Sequence, residues 1–500
     1  MGQKKKVLII GGGTAGLVIA SRLQDHFDVT VIEKSKYKKY PFWFRIPLFI
    51  GLLFKSKKTP YISKRNHILP NGRGIPFFES NVLGGASVIN GCVHVLGNEI
   101  TLSSMLKKMG SNYEELLDSY KRIYSMNRKD KLKISLSSSS QNDIDKAFIE
   151  SLNNRGIPKG DMIYSNKESC GPISNTIRKY FRTSVLSLFG KKKFQQLLDQ
   201  NVECFLFNDA REVIGVKTSF RDVYSDYIIL SAGVIGTCTL LLKEQRRLKK
   251  SNTFLKNLKI GTNIQDHTNL RVNVLTNEKF GSLNEISSSF FKKFNLVFKH
   301  FSGQPTVMSG TGATSAAHLD LDQDGVIDTR IQILQFSETG RAGSDGKLFS
   351  SNRPGFSISI TNINPKSKGK IKLNGDNVEV DPMYISSEED IELLKKALIY
   401  CIDLLNSEPL KHFVYKVEGE EKIIQSPTQY IKDNIFSGYH LIGGSHDLIN
   451  SDFSLKNATS VYVCDASILS KYAASNIHST VILVADIFSN RFMTSHFKSN

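Results

Sequence analysis

The chain has only six cysteines in 500 residues, and no two of them form a Cys-x-x-Cys pair. Cys92, Cys170, Cys204, Cys238, Cys401 and Cys464 are scattered. That spacing argues against a disulfide framework and for a reduced, cytoplasmic protein. Long apolar runs are also missing: none reaches the roughly 18 residues needed to span a bilayer. The N-terminus passes almost directly into an apolar strand, with no room for a signal peptide. Lys6 stands where a myristoylated chain needs Ser or Thr. Acid is short relative to base, 47 Asp and Glu against 66 Lys and Arg, for a formal net charge of +19. Such an excess raises a nucleic-acid or acidic-membrane partner. The lysines are dispersed in short runs such as Lys4–Lys6, Lys191–Lys193 and Lys249–Lys250. No zinc-finger, helix-turn-helix or RNP pattern accompanies them, so no nucleic-acid partner is expected.

What is present is a globular composition, 40% hydrophobic with 36 glycines. The length exceeds one ordinary core, so two domains are expected. Near the start, Val7-Leu8-Ile9-Ile10 is an apolar, β-branched run of the kind found in buried parallel strands. It leads into Gly11-Gly12-Gly13-Thr14-Ala15-Gly16, a GxGxxG pattern, then a helical stretch from Leu17 to Leu23. A second strand, Val29 to Ile32, ends on Glu33, 22 residues past Gly11. Strand, glycine turn, helix, strand and acid in this register suit a dinucleotide. Its pyrophosphate would lie on the helix N-terminus and a ribose would meet Glu33.

The last sixty residues hold two histidines 38 positions apart, His440 and His478, each in a turn of small polar residues. His478 precedes an apolar run, Val481 to Phe488, that predicts a helix. An imidazole at a helix N-terminus can move a proton and hold partial negative charge.

Taken in order, the motifs resemble the glucose–methanol–choline (GMC) oxidoreductase family, which binds FAD. Beyond the fingerprint, NGRxIP…VLGGSSxIN is similar to Asn71–Pro76 and Val82–Asn90. SAGxIGSPxLLL is similar to Ser231–Leu242, VGxNLxDH to Ile260–His267, and NPxSxGxVxL to Asn364–Leu373. The C-terminal block is similar to His440–Gly444, Cys464–Ser467 and Asn476–Val481. The resemblance implies an α/β chain (α+β overall). It would have a Rossmann-like FAD-binding domain over 1–105, 175–268 and 436–500. A substrate-binding domain over 106–174 and 269–435 would be built on an antiparallel sheet with helices. It implies oxidation of the CH–OH group of a small alcohol by hydride transfer to flavin N5, with His440 as base and His478 at the substrate oxygen. FAD contacts are implied at Gly11, Gly13, Thr14, Ala15, Gly16, Glu33, Val82, Asn90, Gly91, Cys92, Val93, Val202, Ala232, Asp465, Ala466, Thr480 and Val481. Ile89 stands where some members attach FAD through His, so noncovalent FAD is expected.

The chain departs from the family where Thr after HxxG is Gly444 and where Pro of NAPT is Thr480. A light-driven fatty-acid decarboxylase or a lyase of the same fold is the alternative activity. The electron acceptor is open among O₂, a quinone and a protein. The stretch 41–58, apolar with Lys55, Lys57 and Lys58 behind it, is a candidate for peripheral membrane contact. His94, His267 and His446 read as structural, and Ser-rich Leu136–Ser140 as a loop. Asp320, Asp322, Asp324, Gly325 and Asp328 follow a calcium-loop spacing without the closing Glu. That loop reads as a solvated acidic turn, and no metal is expected.

Overall fold

The computed structural model describes residues 4–51, 59–69, 72–127, 129, 131, 133–189, 193–248, 255–304, 306–338 and 353–497. Asn71 of the second motif and the lysines at 55, 57 and 58 lie outside them.

The apolar runs near the N-terminus form the centre of a five-stranded, wholly parallel sheet. Its order is Gln195–Leu198, Asp28–Glu33, Lys6–Ile10, Tyr227–Leu230 and Val461–Val463. Val7 to Ile10 and Ile228 to Leu230 are buried, as strands covered on both faces must be. Each such side chain contributes roughly 1.5–3 kcal/mol by leaving water. Helices Thr14–Leu23 and Ile477–His496 pack together against this sheet. Asp486, in the buried face of the second helix, is paired with Arg22 at 2.6 Å and Arg122 at 2.8 Å. A carboxylate there without partners would cost several kcal/mol.

A second sheet is antiparallel. It runs Lys416–Val417, Thr268–Leu275, Gly355–Asn362, Thr329–Leu334, Ala313–Leu319 and Ser169–Pro172, with Phe436–Ser437 paired to the start of Thr268–Leu275. Helices Asp143–Asn154 and Glu388–Leu405 share its apolar core through Phe148, Leu152, Leu398 and Leu405. The expected loop at Leu136–Ser140 instead contains a short strand, Ser137–Ser138, paired with Ser174–Asn175. Tertiary pairing overrides the poor strand preference of serine there.

A four-stranded sheet joins the two larger ones: Asn377–Asp381, Gly369–Asn374, Thr262–Gln265 and Ile442–Gly444. Its register explains how the motifs converge. Residues 262–275 run antiparallel to 436–444 twice, through Gln265 opposite Ile442 and through Thr268 opposite Ser437. The gap between those pairings sets Asp266-His267 against Gly438–Leu441. A Cβ at Gly438 would lie 2.7 Å from Cβ of His267, so that approach requires glycine.

Candidate active site

The two chain crossings bring Asp266, His267 and His440 together, and Asn476 reaches His440 from the N-cap of the last helix. His440 Nδ1 is 3.0 Å from Nδ1 of His267. On the other side of the ring, Nε2 is 3.2 Å from Nδ2 of Asn476. Arg330, on the strand Thr329–Leu334, donates from Nη1 to Oδ1 of Asn476. That bond fixes the amide so that its N–H groups face His440. An amide N–H can bond only a bare ring nitrogen, so Nε2 of His440 carries the lone pair and Nδ1 the proton. His440 then donates to His267.

Below the ring, Asp266 accepts the His440 backbone N–H at 2.8 Å and the hydroxyls of Tyr384 and Ser437. Tyr472 donates to the His440 carbonyl at 2.9 Å. Tyr439, just before His440, has φ +61°. The backbone carrying the imidazole is therefore held from several directions. Burial lifts the Asp266 carboxyl to about 6, against the pull of its donors. Burial, and then the charges of His440 and Arg330, push the His267 imidazole well below its ordinary range, so it is neutral. These interactions make His267 a direct partner of His440, where the sequence suggested only a structural loop histidine.

His478 sits in the first turn of the helix Ile477–His496, whose N-cap is Asn476. It is thus inside the helix, where the sequence reading placed it ahead of one. Its Nε2 is buried and has no protein partner. Burial, followed by the charge of Arg182, lowers His478 to about 4. His94 lies close enough for the two imidazoles to influence each other, is held to about 3 by burial, and meets Tyr120 OH at 3.2 Å.

Arg182 had no sequence signal. It is 5% exposed, and its Nη1 donates to the Asn90 carbonyl at 2.6 Å and to the Asn90 side chain. It thereby clamps the turn Asn90–Val93, in which Cys92 has φ +61°. Its Nη2 is buried with no protein partner.

The glycine fingerprint forms the other wall. A Cβ at Gly16 would lie 2.0 Å from the Gly11 carbonyl oxygen, so helix and turn touch there. At Gly13 a Cβ would meet nothing within 4 Å. Gly13 caps the helix Thr14–Leu23 without any side-chain bond. The first N–H groups, at Thr14, Ala15 and Gly16, are therefore left for a ligand or solvent. Glu33 accepts from Gly12 N–H and Ser35 N–H, each at 2.8 Å. Gly84 N–H reaches the Gly12 carbonyl at 2.7 Å and joins the Val82–Ala86 segment to the fingerprint. Val82 is buried beside Phe44, Val88 and Ile89.

Ala232 caps the helix Gly233–Arg247. The Asp465 carboxylate accepts from Gly233 N–H at 2.9 Å, Thr237 Oγ1 at 2.6 Å and Ser467 N–H at 2.8 Å. That side chain is filled by protein donors, and the carbonyls of Asp465 and Ala466 accept from Ile468 and Leu469, which leaves the backbone N–H groups of Asp465 and Ala466 for a ligand. Val202 opens a strand of a separate three-stranded sheet. Thr480 and Val481 are buried in the first turns of the last helix.

An open anion cradle at Gly13, an acid at the end of the second strand and two buried polar atoms without protein partners fit a flavin dinucleotide. Gly444 also has a local reason. Its φ is +100°, and a Cβ there would lie 2.6 Å from Sγ of Cys238. The threonine usual in the family has no room.

Known proteins are similar to the chain over nearly its whole length. The GMC oxidoreductase profile matches residues 5–269 with its N-terminal part and 365–485 with its C-terminal part. An alcohol dehydrogenase [acceptor] of Pseudomonas putida is 22% identical, covering 96% of this chain and 94% of that protein. An oxygen-dependent choline dehydrogenase of Photobacterium profundum is 22% identical, covering 96% and 91%. A solved Aspergillus oryzae formate oxidase, from work on FAD modification, superposes with a TM-score of 0.85 at 17% identity, over 99% of each chain.

Proposed function

The chain belongs to the GMC oxidoreductase family, and on that premise we propose that it oxidises the CH–OH group of a small alcohol to a carbonyl with FAD. The observation carrying this reading is the Asn476 amide 3.2 Å from Nε2 of His440, an arrangement that leaves the lone pair on that nitrogen. In this reading His440 takes the hydroxyl proton at Nε2. The substrate hydroxyl displaces the Asn476 N–H there, and that amide then donates to the substrate oxygen. His267 receives the hydrogen bond from Nδ1 and keeps the ring from turning. His478, neutral and with its buried Nε2 otherwise unpartnered, donates to the same oxygen. When bound, FAD would supply the acceptor for the hydride leaving the carbinol carbon.

Gly11, Gly13, Thr14, Ala15, Gly16 and Glu33 would hold its pyrophosphate and ribose. Val82, Asn90, Gly91, Cys92, Val93, Val202, Ala232, Asp465, Ala466, Thr480 and Val481 would line the rest. Residues 1–105, 175–268 and 436–500 would form the FAD-binding domain, and 106–174 with 269–435 the substrate side. FAD is held without a covalent bond, supported by apolar Ile89 at the attachment position. Acid precipitation that released free FAD would check this. Six free cysteines, five of them buried, support a reducing cytoplasmic setting.

The test is anaerobic. Bleaching of the flavin in the dark by a member of an alcohol, sugar and sterol panel is expected. No bleaching, with CO₂ released from a fatty acid only under blue light, would replace this reading with a decarboxylase. Reoxidation by O₂ or by a soluble quinone would then identify the acceptor.

We also propose that the protein rests on an anionic lipid surface. The helix Phe290–Phe301 turns Leu296 and His300 inward and leaves Phe290, Phe291, Phe294 and Phe298 more than half exposed. Phe301 meets Phe181, and Phe181 meets Phe42, so the aromatic face continues into the segment beginning at Pro41. Lys292, Lys293, Lys299 and Arg45 rim it, and the net charge of +19 favours acidic headgroups. Among the described residues no helix is long and apolar enough to cross a membrane.

A further inference from the structure

The hairpin between strands Ala313–Leu319 and Thr329–Leu334 carries Asp320, Asp322, Asp324, Gly325 and Asp328. A solvated turn would leave all of its carboxylates exposed. Instead Asp328 is 3% exposed. Its Oδ2 accepts from the N–H groups of Leu321 at 3.1 Å and Asp322 at 3.0 Å. Its Oδ1 is buried and has no hydrogen-bond partner. One oxygen each from Asp320, Asp322 and Asp328 lie within 4.8 Å of one another. Three carboxylates so close repel unless a proton or a cation lies among them. Lys396 Nζ donates to the Leu321 carbonyl at 3.3 Å, and among the described residues no ion pair is formed by Asp320, Asp322 or Asp328.

We propose that this hairpin binds one Ca²⁺ through the carboxylates of Asp320, Asp322 and Asp328, with Asp324 and backbone oxygens of the loop completing the oxygen shell. Calcium suits the site because it accepts six to eight oxygens in irregular geometry, whereas Mg²⁺ demands a near-ideal octahedron. Gly325, with φ +85°, makes the sharp turn such loops need at their sixth position. The twelfth position, where a bidentate Glu would close the shell, is Ile331. Affinity therefore falls in the weak class, with Kd on the order of 10⁻⁴–10⁻³ M.

The site is coupled to the fold. Ile327 of the loop packs on Ile363 and Ala474, two residues before Asn476. Arg330, two residues after Asp328, bonds Asn476. Calcium would thus stiffen the strand that orients the Asn476 amide.

The test uses chelator-stripped, FAD-loaded protein titrated with CaCl₂ in a calorimeter, with melting temperature followed in parallel. One saturable site is expected, with a rise in Tm. Asp328→Asn should weaken binding at least about tenfold. Asp322→Asn, at an exposed position that folding tolerates, should weaken it several-fold with unchanged FAD content. Absence of saturable binding by the unmodified protein would overturn the proposal. So would tighter binding of MgCl₂ than of CaCl₂, or unchanged Ca²⁺ affinity in Asp322→Asn.

Discussion

His440 Nδ1 faces Nδ1 of His267 at 3.0 Å, with the two rings inclined at 79°. Only one of those nitrogens can carry the proton, and the Asn476 amide on the far side assigns it to His440. The protonation of the His440 ring, and with it the nitrogen proposed as the base, is therefore set by a chain that begins at buried Arg330.

Removing the base should cost what positioned proton transfer contributes. His440→Ala is expected to slow flavin reduction by about 10²–10⁴-fold with FAD still bound. Stopped-flow absorbance under anaerobic conditions reads this, and an unchanged rate would exclude His440 as the base. His267→Phe leaves the base in place and removes its acceptor. A loss of about tenfold with a displaced pH–rate profile is expected, and an undisplaced profile would mark His267 as packing alone.

Glu33 satisfies two backbone N–H groups at the end of the second strand. Glu33→Ala strips both of an acceptor, at about 1–3 kcal/mol per buried donor left bare. FAD affinity should fall by at least about tenfold. Quenching of flavin fluorescence during titration of the apoprotein would show it, and unaltered affinity would remove Glu33 from the cradle.

Gly444→Thr restores the residue usual in the family and should still be harmful. The left-handed backbone costs about 1–3 kcal/mol for a residue with a Cβ, and the Cys238 sulfur blocks the side chain. A lower Tm is expected. Pairing the change with Cys238→Ala should recover part of the loss, because the contact with sulfur is then gone.

His318 is fully buried, and burial, followed by the charge of Arg330, holds it to about 3, below its ordinary 6.5. The unfolded chain takes a proton near pH 6.5 that the folded chain refuses. Stability from this group is full above pH 6.5 and declines as pH falls toward 3, at up to about 1.4 kcal/mol per pH unit. Asp266, raised to about 6, works in the opposite direction over part of that range. The comparison of two proteins isolates His318: the Tm loss between pH 7 and pH 5 should be smaller in His318→Gln than in the parent.

Phe291→Asp with Phe294→Asp places charge in the exposed aromatic face without touching the core. Flotation with vesicles containing about 30% anionic phosphatidylserine should be lost in the double variant and weakened by salt. Failure of the parent protein to float would end the membrane reading.

The parallel sheet was legible because its strands are short, apolar and tied to glycine turns by motif. His440, His478, Glu33 and the fingerprint glycines carried recognisable spacing. Arg182 and Arg330 did not: they come from strands without motif and act across 92 and 146 residues on Asn90 and Asn476. His267 lay in a quoted motif, but its role depends on sheet register, which no local pattern encodes. In the acidic hairpin the missing closing Glu suggested a solvated turn, while the strand that follows pulls Asp328 into the interior.

The order of strands in the parallel sheet has a consequence for biogenesis. Of the strands in this sheet, Lys6–Ile10 is made before the others; it has Asp28–Glu33 at hand on one edge but must await Tyr227–Leu230 on the other. That strand in turn awaits Val461–Val463. At ribosomal rates of roughly 5–20 residues per second, the last of these arrives on the order of 20–90 s after the first. Throughout that interval the nascent chain presents a buried-type strand with an open edge, a binding site for holdase chaperones and a point where slowed translation would turn folding toward aggregation.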